Sequence, residues 1–158
     1  MGSKIKPITL YWAGPLFTQA ERIWNRLCAE YLRKKGYDVI LPQDEGKKFK
    51  GDCKGIAKHC FKQTVSSDVF VAVLDGADTD SGTSLGAGIR IRSGLLSIGV
   101  RTDFRASEDG QLNAMFRLFD TIIYFPSFDE SYEKLCDQID QTIRKYLILI
   151  SKSHFSIS

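Results

Sequence analysis

Asp68-Val69-Phe70-Val71-Ala72-Val73-Leu74-Asp75-Gly76 is the stretch that decides the fold. Its centre is continuously apolar and β-branched, and it stops at an Asp-Gly turn, as a short strand buried on both faces of a parallel sheet should. Toward the N-terminus, Ile8-Thr9-Leu10-Tyr11-Trp12 is a similar run that halts at Ala13-Gly14-Pro15, and Val39-Ile40-Leu41 is a third, closed by Pro42. Toward the C-terminus, Ser97-Ile98-Gly99-Val100 and Thr121-Ile122-Ile123-Tyr124-Phe125 complete a set of five. Helices fill the intervals. Thr18 is the expected cap of the first, in which Ala20, Ile23, Trp24, Leu27, Cys28, Tyr31 and Leu32 recur at steps of three and four before Arg33-Lys34-Lys35-Gly36 ends it. Further helices are expected over 56–65, from about Thr83, and over 130–146; residues 43–55 read as a polar loop, 1–5 and 151–158 as frayed ends. Strands alternating with helices imply an α/β domain spanning 1–158, a doubly wound five-stranded parallel sheet.

Composition agrees. The chain has 158 residues, 43% hydrophobic and 26% charged, which excludes disorder, collagen-like repeats and coiled coil. No apolar run reaches the roughly 18 residues of a membrane span. Met1-Gly2-Ser3-Lys4 has no apolar core behind it, so a cytoplasmic location is expected, without a membrane partner. A net charge of +3 is too small to imply binding of a nucleic acid polymer. Cys28, Cys53, Cys60 and Cys136 form no CxxC pair and read as reduced thiols, several of them buried. Cys53 with His59-Cys60 falls short of a metal-ligand set, and His59 and His154 offer little to a histidine triad. No metal or cofactor is expected. Neither G-x-G-x-x-G after the first strand nor G-x-x-x-x-G-K-[ST] occurs, which argues against a dinucleotide-binding dehydrogenase and a P-loop NTPase.

In a doubly wound sheet, ligands sit beyond the carboxyl ends of the strands, near the switch in strand order, which singles out loops 13–18, 42–55 and 75–83. The last, Asp75-Gly76-Ala77-Asp78-Thr79-Asp80-Ser81-Gly82-Thr83, carries three carboxylates in six residues. They suit a ligand rich in hydroxyl and amino groups, such as a nucleoside, or a divalent cation. Equally, Asp and Gly serve as turn residues and Thr83 as a helix cap. Trp12 and Phe17 stand evenly between stacking on a base and packing in the core. Arg90 and Arg92 read as solvated helix charges rather than phosphate ligands, and Lys47, Lys48 and Lys50 with Phe49 as a solvated loop.

Five blocks in register resemble the nucleoside 2-deoxyribosyltransferase family. They are Tyr11-Trp12-Ala13-Gly14-Pro15-Leu16-Phe17, Leu41-Pro42-Gln43, Asp68–Gly76 continued by Asp80-Ser81-Gly82-Thr83, Gly99-Val100-Arg101-Thr102-Asp103-Phe104-Arg105, and Asn113-Ala114-Met115. The resemblance implies a flavodoxin-like domain that cleaves the N-glycosidic bond of 2'-deoxynucleosides and passes the sugar to another free nucleobase, in nucleotide salvage and without a cofactor. A glutamate would attack C1' to give a covalent deoxyribosyl intermediate through an oxocarbenium-like transition state. Asp75 and Asp80 would hold the base and assist proton transfer, and Tyr11 would orient the nucleophile. Gly14, Pro15, Phe17, Ser81, Gly82 and Met115 fall at substrate-binding positions. Asn113 would reach the sugar from a neighbouring subunit, so a homo-oligomer is expected.

One position departs. The family's nucleophilic glutamate lies six residues after the aspartate of Asp80-Ser81-Gly82-Thr83, and here that residue is Gly86. Three accounts stand open: an engineered loss of the nucleophile, a member that has lost transfer and kept binding, or chemistry taken over by Asp80, Asp78 or water. Glu45 and Glu108 lie in expected loops and would substitute only through a large rearrangement. Beside the transferase reading stand a non-catalytic nucleoside- or nucleotide-binding module and a 2'-deoxynucleoside 5'-monophosphate N-glycoside hydrolase.

Overall fold

A computed structural model describes residues 6–105, 112–127 and 129–155. Five strands, β1 (Thr9–Ala13), β2 (Asp38–Ile40), β3 (Val69–Val73), β4 (Ser97–Arg101) and β5 (Thr121–Tyr124), form one sheet in the order β2-β1-β3-β4-β5. Every pairing is parallel, with Tyr11 opposite Ile40 on one side and Phe70 on the other. The helices are α1 (Gln19–Lys34), α2 (Pro42–Glu45), α3 (Cys53–Ser66), α4 (Ser81–Ser93) and α5 (Tyr132–Phe155). This is the flavodoxin-like, doubly wound arrangement expected.

The alternation of strand side chains divides the core in two. Leu10, Trp12, Val69, Val71 and Val73 meet Cys28, Ala29 and Leu32 of α1 and Leu135, Ile139 and Ile143 of α5. Tyr11, Ala13, Phe70, Ala72 and Leu74 face the opposite way, toward Ala87 of α4. All of β3 is therefore buried, as its apolar run requires.

Local signals set the helix limits. Thr18 and Glu21 form a reciprocal capping box at the start of α1. At α4 the cap is Asp80, which accepts from the Thr83 amide at 2.9 Å, so the helix begins two residues before the expected Thr83. The expected loop over 43–55 is largely helical: Pro42 occupies the first turn of α2, a 3-10 turn covers Gly46–Phe49, and Asp52 caps α3. Ion pairs one turn apart, Lys47 with Asp44 and Lys48 with Glu45, accompany these turns, where composition alone suggested a polar loop. α5 continues to Phe155, beyond the expected end near Tyr146, and takes up part of the tail read as frayed. Residues 1–5, 106–111 (with Glu108), 128 and 156–158 lie outside the described residues. Among the described residues, no helix is long and apolar enough to cross a membrane.

Candidate functional site

β1 and β3 are neighbours whose onward connections leave to opposite sides of the sheet, so the loops after them diverge at their carboxyl ends. A cavity of about 480 Å³ lies there, between the β1–α1 loop, α3 and the first half of α4. Gly14 lines it, and behind it a Cβ would come within 3.0 Å of Val73. The loop is fixed from behind: Asn25 donates to Pro15 O at 2.9 Å and accepts from the Trp12 indole at 3.0 Å, while Arg22 donates to Leu16 O and Phe17 O. Trp12 is thereby committed to the core. Phe17 keeps a clamped backbone, yet the residue is 72% exposed where it borders the cavity.

Tyr11 lies on the cavity floor, its ring centroid 6.0 Å from that of Phe70. Burial pushes its hydroxyl far up from the ordinary tyrosine range, and a hydrogen bond with the Cys60 thiol adds to this. Tyr11 is thus a neutral hydroxyl at any physiological pH. Asp80 turns one oxygen, Oδ2, to the Thr83 amide and hydroxyl at 2.9 and 3.1 Å, which leaves Oδ1 for a ligand. Gly82 lies beside it; a Cβ there would come within 3.3 Å of Asp80 Oδ2. At Gly86 a Cβ would lie 3.6 Å from Phe70 Cζ and 3.8 Å from Thr64 Oγ1, ordinary contacts that leave room for a side chain.

The expected set is not all gathered. Tyr11, Gly14, Phe17, Asp80, Gly82 and Gly86 line the cavity; Pro15 and Ser81 are its neighbours in sequence and do not. Asp75 points elsewhere. Gly76, at φ +112°, turns the chain, and the Asp75 carboxylate accepts from the Thr102 amide at 2.6 Å, the Thr102 hydroxyl and the Asp103 amide at 3.0 Å. It borders a second hollow, with Trp24, Phe125 and Tyr132, on the α1–α5 face. Asp75 and Asp80 therefore do not share a ligand space within this chain. Asn113 caps a 3-10 turn over Ala114–Leu118 by accepting from the Met115 amide at 3.0 Å, and Met115 is 68% exposed; neither lines the cavity.

Several lining residues were not anticipated. Ile56, Cys60 and Thr64 recur every fourth residue on α3, Ala57 and Phe61 do the same, and Leu85 and Ile89 follow on α4. That spacing is readable in sequence, but it does not say that the stripe faces a cavity rather than a core. Cys60 lines the cavity, whereas Cys53 is exposed and His59 Nε2 lies 3.5 Å from Glu45. Among the described residues, no three His, Cys, Asp or Glu side chains gather as metal ligands. Arg90 corrects the solvated reading: it is 0% exposed, and its guanidinium donates to the carbonyls of Thr64, Ser67, Asp68 and Leu96. Burial lowers it to about 10, still cationic at neutral pH.

A mostly apolar enclosure with one carboxylate and a few hydroxyls suits a flat heterocycle carrying a small polar group. The sequence profile of the nucleoside 2-deoxyribosyltransferase family matches residues 10–120. The chain belongs to this family. It is similar to a conserved protein from Enterococcus faecalis V583, at 27% identity over 87% of this chain and 99% of that one, with a TM-score of 0.69. In fold it is also like a 2-deoxyribosyltransferase from Bacillus psychrosaccharolyticus (17% identity, 80% and 89% covered, TM-score 0.64) and a CMP N-glycosidase from Clostridium botulinum (14%, 84% and 98%, 0.62). No curated protein matches the chain.

Proposed function

We propose that the cavity binds a 2'-deoxynucleoside and that the chain hydrolyses its N-glycosidic bond, water adding at C1' as the base leaves, without forming a deoxyribosyl-enzyme. The observation that carries this reading is the convergence of Tyr11, Asp80 and residue 86 on one cavity in a chain of this family. Asp80 Oδ1 exchanges a proton with a nitrogen of the base, the Tyr11 hydroxyl supplies a neutral hydrogen bond, and Phe17 covers the ring. Glycine at 86 offers no nucleophile, so transfer to a second base through a covalent intermediate does not run. In the oligomer, Asn113 of one subunit completes the pocket of the next, in keeping with the outward position of Asn113 and Met115.

That missing side chain also supports a second reading, a module that binds a nucleoside and releases it unchanged. Calorimetry with deoxyadenosine, deoxycytidine and thymidine, followed by chromatography of the same mixtures, separates the two. Binding with slow base release fits the first reading, and binding with none fits the second. Absence of binding to all three at millimolar concentration overturns both.

A further inference from the structure

In the proposed reading, on which this inference rests, C1' of a bound nucleoside lies against residue 86. In a β-nucleoside the base occupies one face of the sugar ring, and a nucleophile that displaces it approaches C1' from the other. The 2'-hydroxyl of a ribonucleoside projects from that same other face, on the adjacent carbon. A side chain reaching C1' from position 86 therefore competes for volume with a 2'-hydroxyl.

In this chain no side chain occupies that volume, and it has a polar wall. The nearest atoms to a Cβ at Gly86 are two ring carbons of Phe70, at 3.6 and 3.8 Å, and Thr64 Oγ1, at 3.8 Å. Thr64 is only 3% exposed, and its hydroxyl proton is committed to Cys60 O at 2.9 Å. Its oxygen keeps acceptor capacity with no other hydrogen atom to offer, so the partner it lacks is a donor. A 2'-hydroxyl is such a donor; a 2'-deoxy sugar is not.

We propose that the cavity takes ribonucleosides at least as well as 2'-deoxynucleosides, the 2'-hydroxyl occupying the space beside Gly86 and donating to Thr64 Oγ1. Two matched pairs test this by titration calorimetry: adenosine against deoxyadenosine, and cytidine against deoxycytidine. The wild-type chain should bind each ribonucleoside as tightly as its deoxy partner or more so. Gly86→Gln, which fills the space without adding a carboxylate, should lower the ribo-to-deoxy affinity ratio by about tenfold, the scale of one buried polar contact. Thr64→Val, which keeps the shape and removes the acceptor, should lower the same ratio in the same direction. Circular dichroism melts establish that each variant folds; if Thr64→Val does not, Gly86→Gln carries the test alone. Deoxynucleosides that bind while ribonucleosides bind more than about tenfold more weakly overturn the inference and leave the functional reading standing. A ratio unmoved by Gly86→Gln also overturns it. If neither sugar binds, the functional reading itself falls.

Discussion

Putting a carboxylate back at position 86 asks how much of a transferase site is already assembled around it. The substituent fits, since its Cβ makes only ordinary contacts with Phe70 and Thr64, and glutamate favours a helix over glycine by roughly 0.5–1 kcal/mol. Tyr11, held protonated by burial and by Cys60, lies in the same cavity as a donor. Loss of a nucleophile from an intact site can cost about a millionfold, so Gly86→Glu should raise base exchange between a deoxynucleoside and a free base by at least about a hundredfold. Chromatography of the exchange mixture measures it; a folded, nucleoside-binding variant no faster than the glycine form removes position 86 from the mechanism. Gly86 and Asp80 were legible because each occupies a fixed place in a local motif. Asp75 was not, because its orientation depends on the φ of Gly76 and on Thr102, 27 residues away and just past the end of β4.

α4 carries the site at one end and its anchor at the other. Asp80 caps its first turn, Gly86 faces the cavity, and Arg90 ties its last turn to the end of α3 and to Leu96. Truncation by Arg90→Met leaves the buried carbonyls of Thr64, Ser67 and Leu96 without their cationic donor and should destabilise the fold by about 3 kcal/mol or more. The midpoint of urea unfolding reads this, and a shift below about 0.5 kcal/mol is the contrary result. Sequence hid this anchor for a physical reason: a basic residue in the last turn of a helix is also what the helix dipole favours at the surface. The strands and α1 were legible because apolar periodicity and caps act locally. The 42–49 segment was missed because its turns depend on a proline at the first position and on ion pairs between residues that look like loop composition.

For the whole molecule, the exposed Met115 and Leu118, with Asn113 away from its own cavity, suit a subunit contact. Light scattering should show an oligomer at working concentration, and a monomer would end the cross-subunit role of Asn113. Stability should also depend on acid. The Arg105 guanidinium beside Asp103 holds that carboxyl well below the usual carboxylate range, helped by the backbone amides of Arg105 and Gly76, and Lys35 lowers Asp137 similarly. A depressed folded-state value means that the stabilisation is present above the unfolded value of about 3.9 and is lost as pH falls below it. Urea midpoints should therefore drop below about pH 4, and less steeply in Asp103→Asn; equal slopes would assign the acid sensitivity to other groups. The Arg90 anchor has a mechanical side as well. It joins α3 and α4 at the end of the sheet remote from Asp80, Pro42 and Phe17, so the two helices form a jaw with its pivot at the base. Amide exchange should therefore quicken along α4 from Arg90 toward Ser81.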